Sequence, residues 1–144
     1  MARLLDTPPV VRALTLWQPW ASAVAYGPKK IENRTWPTEY RGLLLIHAGL
    51  TQDRHAWNAP LARPFLRRPQ PTGAILAVAR LVDCHAPDGY CTLWSVPGQW
   101  HWKLTHVTRL SEPLPWPGAR GLWTPPAGLL SAPLLAEVLG VGHD

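Results

Sequence analysis

The stretch LTLWQPWASAVAYGPKKIENRTW, residues 14–36, decides how the rest of the chain is read. Its start completes RALTL at 12–16, a short apolar run with the length of a buried strand. Pro19 follows Gln18 where a helix can begin, and Trp20 to Tyr26 continue in helix-tolerant residues until Gly27 and Pro28 stop them. From Lys30 to Trp36 polar and apolar residues alternate with period two. That spacing predicts a half-exposed strand with Lys30, Glu32 and Arg34 on one face and Ile31 and Asn33 on the other.

Downstream, Arg41-Gly42 marks a turn, and LLLIHA reads as a strand buried on both faces with His47 near its end. A histidine so placed is read as a hydrogen-bonded core residue and not as an acid or base. Residues 52–66, broken by Pro60 and Pro64, predict a short helix followed by a loop. Gly73 opens the longest β-type run, AILAVARLV, which ends at Asp83-Cys84 before a Pro-Asp-Gly turn at 87–89. A second long strand is expected at WHWKLTHVTRL, where alternation groups Trp100, Trp102, Leu104 and His106. Pro113, Pro115 and Pro117 confine the segment after it to an edge, and Ser131 to Leu139 reads as a short capping helix closed by Gly140. Five or six short strands with helices between them, and no βαβ rhythm, predict an α+β fold built on a small mixed barrel.

Composition narrows the function classes. With 144 residues, 47% hydrophobic and 16% charged, the chain has the profile of one soluble domain spanning 1–144, not of a disordered or membrane protein. No apolar run approaches the roughly 18–20 residues of a membrane helix, and MARLLDTPP lacks the apolar core of a secretory signal, so a cytoplasmic location is expected. A net charge of +5 and a pI near 9.8 point to polyanionic partners. Nine of the aromatic residues are Trp, whose indole stacks on nucleobases, although most of the nine are expected to fill the core. Cys84 and Cys91 read as free thiols without zinc spacing, and His85 beside Cys84 makes a poor chelate, so neither a metal site nor a cofactor is expected. Arg54, Arg63, Arg67 and Arg68 read either as a basic patch along a nucleic-acid backbone or as a solvated loop.

The order of QPWA at 18–21, then Gly27, Lys29, Glu32 and Arg34 in the spacing G-x-K-x-x-E-x-R, RGLLLIHAG at 41–49 and GLW at 121–123 resembles the ASCH (activating signal cointegrator homology) family over about residues 12–124. The resemblance implies a PUA-like pseudo-barrel of five to six mostly antiparallel strands with helices packed around it, in a superfamily associated with RNA and modified-base recognition. Residues 125–144 are then a C-terminal extension with a short helix.

In such a cleft Lys29 and Arg34 are expected to meet phosphate, and Glu32 to accept hydrogen bonds from a base edge. The alternative is an internal ion-pair network that holds helix to strand. The nucleic-acid-facing set is Gln18, Trp20, Lys29, Lys30, Glu32, Arg34, Trp36 and Arg41, with Trp20 or Trp36 stacking on an everted base. Trp17, Trp57 and Trp94 are read as packing residues, and Trp102 and Trp123 as core. The leading expectation is a module that binds RNA or single-stranded nucleic acid and inserts one base, including a modified one.

An enzyme is the second reading, because some ASCH proteins are amidohydrolases of acetylated cytidine and others ribonucleases. Lys29 and Glu32 would then be catalytic, but Glu32 stands where the amidohydrolases carry a threonine, which removes the covalent acyl route. A protein-interaction module in transcription regulation is the third reading.

Overall fold

Leu44, Leu45 and Ile46 are all fully buried, so the middle of the strand that carries them has no solvent face and acts as the spine of the sheet. The computed structural model describes residues 10–66, 70–87 and 92–140. The elements run β1 (Val11–Gln18), α1 (Trp20–Tyr26), β2 (Ile31–Arg34), β3 (Gly42–Gln52), α2 (Arg63–Leu66), β4 (Ala74–His85), β5 (Trp100–Pro115), β6 (Leu122–Trp123), α3 (Ala127–Leu130) and α4 (Pro133–Leu139). One six-stranded sheet has the order β2-β5-β4-β3-β1-β6, in which β1 and β3 are parallel and every other pair is antiparallel. The parallel pair requires a crossover, and α1 with β2 lies within it. The fold is the α+β pseudo-barrel that the sequence predicts.

The sheet is apolar on both sides. One face gathers Leu14, Leu16, Leu44, Ile46, Leu76 and Trp102 under Ala21, Val24 and Ala25 of α1. The other carries Val11, Ala13, Leu45, Ile75, Val78 and Leu110, covered by Leu129 of α3 and Leu135 of α4. α4 starts on Pro133 and ends at Gly140 (φ 73°), a left-handed cap that glycine adopts without steric penalty. No helix among the described residues is long and apolar enough to cross a membrane.

Four departures from the sequence reading have physical causes. The charged strand is less exposed than expected: β2 begins at Ile31, Glu32 is only 8% exposed, and Lys30 lies before the strand with its ammonium on the Gly27 carbonyl at 3.0 Å. Between β3 and β4 two 3₁₀ turns, Arg54–Asn58 and Pro60–Ala62, precede α2, because the prolines limit each helical stretch to about one turn. The alternation of β5 holds for Trp102 and Leu104 and fails at His106, which has φ 51° and is exposed. There the ladder slips, with Arg80 opposite Thr105 but Val78 opposite Thr108, so β5 carries one extra residue that bulges out of the ladder. Finally, β5 itself continues through Pro113 to Pro115, and that stretch pairs only with β4, because the pairing of β5 with β2 reaches no further than Lys103. Its prolines therefore occupy a free edge. Asp88 and Gly89 of the 87–89 turn, Cys91, Arg67 and Arg68 lie outside the described residues.

Candidate functional site

β1 and β2 are not neighbours in the sheet, yet Arg34 joins them. Its Nη2 donates to the Thr15 carbonyl at 2.9 Å, and its Nε donates to Glu32 Oε2 at 3.0 Å. The period-two spacing that puts Glu32 and Arg34 on one face of β2 thus closes the curl of the sheet and lines the gap it leaves.

Lys29, just before β2, is 3% exposed. Its Nζ donates to the Ile31 carbonyl, lies 3.8 Å from Glu32 Oε1, and sits 5.9 Å from the ring centroids of both Trp20 and Trp94. Burial lowers the pKa of Lys29, the Glu32 carboxylate opposes that, and Arg34 adds to the lowering. The two indoles meet edge to face at 6.5 Å. Trp20 is fixed by Nε1 donating to Asp53 Oδ2 at 2.7 Å. Trp94 is placed by Asn33, which donates to the Trp94 carbonyl at 2.9 Å and accepts from the Val96 amide at 2.8 Å. Trp36 meets the buried Trp102 edge on at 4.8 Å and accepts its Nε1–H through the Trp36 carbonyl at 3.2 Å.

These groups enclose a cleft of about 650 Å³, within the usual range of small-molecule sites. Trp17, Trp20, Trp36 and Trp94 supply aromatic wall, Leu61, Leu93 and Val96 aliphatic wall, and Glu32, Asp53, Thr35 and Gln99 polar groups. Of the residues singled out in the sequence, Trp20, Lys29, Glu32, Arg34 and Trp36 line this cleft; Gln18, Lys30 and Arg41 do not. Gln18 is fully buried, donating to the Pro71 carbonyl at 2.7 Å and accepting from the Ser22 amide at 2.9 Å, so it anchors the start of α1. Arg41 is exposed, bonded to the Thr38 and Tyr40 carbonyls and 3.9 Å from Asp83. Trp17 and Trp94, read as packing residues, turn out to be cleft walls. Nothing local marks Trp94, since its position depends on Asn33 some sixty residues earlier.

His47 is buried and bonded at both ring nitrogens. Nε2 faces the Trp116 carbonyl at 2.6 Å, which can only accept, so Nε2 carries the proton. Nδ1 then accepts from Thr15 Oγ1 at 3.1 Å, and that oxygen accepts from Trp123 Nε1 at 3.1 Å.

With the cleft described, comparison with known protein families matches the model of the ASCH domain over residues 14–113. The chain belongs to the ASCH domain family. No curated protein matches it. The matched part of this ASCH domain contains every residue that lines the cleft, while β6, α3 and α4 lie beyond it. Its G-x-K-x-x-E-x-R residues have distinct positions here. Lys29, Glu32 and Arg34 form the charged floor, and Gly27 passes so close to Phe65 that a Cβ there would collide with its ring.

Proposed function

We propose that this ASCH domain binds nucleic acid, RNA or another single strand, by taking one base into the cleft. The observation that carries the reading is flat indole wall around a carboxylate with one oxygen to spare. Glu32 Oε2 accepts from Arg34, whereas Oε1 faces Lys29 at 3.8 Å, beyond hydrogen-bond distance, and is left to accept from an amino or imino edge. Lys29 and Arg34 balance Glu32 and Asp53 within the cleft, and both cations already have protein partners. The pocket therefore suits a neutral planar group better than a phosphate, and the basic character of the chain acts outside it.

The test is a fluorescence-anisotropy titration with labelled single-stranded RNA, single-stranded DNA and duplex, for the wild type and Trp94→Ala. Saturable single-strand binding, weakened by about 1–3 kcal/mol in the folded variant, is the expected result. Unchanged affinity in Trp94→Ala, or no binding to any polymer, would overturn the reading.

A hydrolytic use of the same cleft has one observation in its favour, the buried Lys29 with its lowered pKa beside Glu32. A panel of modified nucleosides, acetylcytidine among them, separates the two readings. Consumption of a nucleoside, abolished in Glu32→Gln while binding persists, would favour the enzyme.

A further inference from the structure

Trp17, Leu61, Leu93 and Val96 are 55%, 37%, 82% and 42% exposed, and all four line the same cleft. Half of the large hydrophobic residues exposed among the described residues are thus gathered at one mouth. Such a concentration marks a surface that meets a partner. Trp57, 70% exposed, stands on the 3₁₀ turn between Asp53 and Ala59, both of which also line the cleft.

Charge indicates which partner. Arg54 and Arg63 bracket this wall segment, and both are exposed and make no salt bridge among the described residues. A flat, exposed indole beside uncompensated guanidinium groups is the arrangement that holds unpaired nucleotides, with a ring for each base and a cation for each phosphate. A protein partner would find apolar area here too, but the net charge of +5 and the two free arginines favour a polyanion.

We propose that the mouth of the cleft is a platform for the strand on either side of the inserted base. A neighbouring base stacks on Trp17, and the intervening phosphates are met by Arg54 and Arg63. This rests on the base-binding reading of the cleft, and it adds that the ligand is a dinucleotide or longer, recognised as a single strand. RNA and DNA share that chemistry, so both are arms of the test.

The experiment compares a nucleoside monophosphate with labelled RNA and DNA hexanucleotides at two salt concentrations. It uses the wild type, Trp17→Ala, Trp17→Phe and the double variant Arg54→Ala/Arg63→Ala, with thermal melts to confirm folding. The expected result is that hexanucleotides bind more tightly than the monophosphate. Trp17→Ala should lose about tenfold for the hexanucleotide and a clearly smaller factor for the monophosphate, which meets Trp17 only as cleft wall, and Trp17→Phe should recover most of the loss. The arginine pair should lower the salt slope by about 1.4, or 0.7 for each phosphate contact on a single strand. A hexanucleotide that binds no better than the monophosphate, or a duplex that binds as well as the single strand, would overturn the platform and leave the base site standing. Equal losses for both ligands in Trp17→Ala would also overturn it, since Trp17 would then act on the inserted base alone. Absence of binding to every ligand would remove both readings together.

Discussion

A second proton on His47 has nowhere to go. Nδ1 already accepts from the Thr15 hydroxyl, whose oxygen in turn accepts from Trp123, and Nε2 already donates to the Trp116 carbonyl. Burial lowers the pKa of His47 from 6.5, with the Trp116 carbonyl opposing. Because the folded pKa lies below the unfolded one, the unfolded chain binds more protons between the two values. Stability contributed by neutral His47 is therefore complete above about pH 6.5, falls as pH drops through that window, and levels off below the folded pKa. Thermal melts from about pH 7.5 to about 5 should show a steeper loss in the wild type than in His47→Gln; parallel slopes would show that other groups govern the acid limb. The type of this residue was legible in the sequence, since a histidine ending an apolar strand needs partners. Its partners were not, because Trp116 and Trp123 come from far along the chain.

Between β5 and β6 the chain passes directly over this histidine. A Cβ at Gly118 would lie 2.7 Å from both His47 Cε1 and Thr15 Oγ1, so only glycine lets the two layers approach. Gly118→Ala should destabilise the protein by about 1–3 kcal/mol in urea denaturation, the usual range for overpacking a tight contact. An unchanged midpoint would mean that the segment is free to lift away. The elements themselves followed sequence pattern wherever burial had a simple period. LLLIHA became a strand without a solvent face, and AILAVARLV became the long β4. Pattern failed where a local irregularity re-aimed the chain. The slip near His106 is one case; the 94–96 turn, held by Asn33 over Lys29, is another.

The family match ends at Pro113, but the fold does not. Leu129 and Leu135, both beyond it, are fully buried against Val11, Ala13, Leu45 and Ile75 on the face of the sheet opposite α1. Each such side chain contributes about 1.5–3 kcal/mol by burial, a sizeable part of the roughly 5–15 kcal/mol that stabilises an ordinary domain. Removing residues 126–144 should abolish a cooperative melt and expose apolar surface to a dye such as ANS. A truncated chain that melts within a few degrees of the full one would show that the helices are dispensable. The C-terminal capping helix was legible from its Gly140 stop, although it starts at Pro133 and not at Ser131, which ends α3. That it covers a second apolar face follows only from the sheet being buried on both sides.

The chain's own letters determined most of the strands, the helix after Pro19 and the shared face of Glu32 and Arg34, because these depend on periods of two and 3.6 residues and on local turn chemistry, whereas Lys29 joined that pair only through the family resemblance. Tertiary structure alone decided that Arg34 closes the barrel on Thr15, that Lys29 is buried beneath Trp20 and Trp94, and that Gln18, Lys30 and Arg41 stay out of the cleft. The reason is physical. A side chain's direction follows from its own element, whereas the group it meets is set by sheet order and curl, which bring β2 at one end of the sheet against β1 near the other.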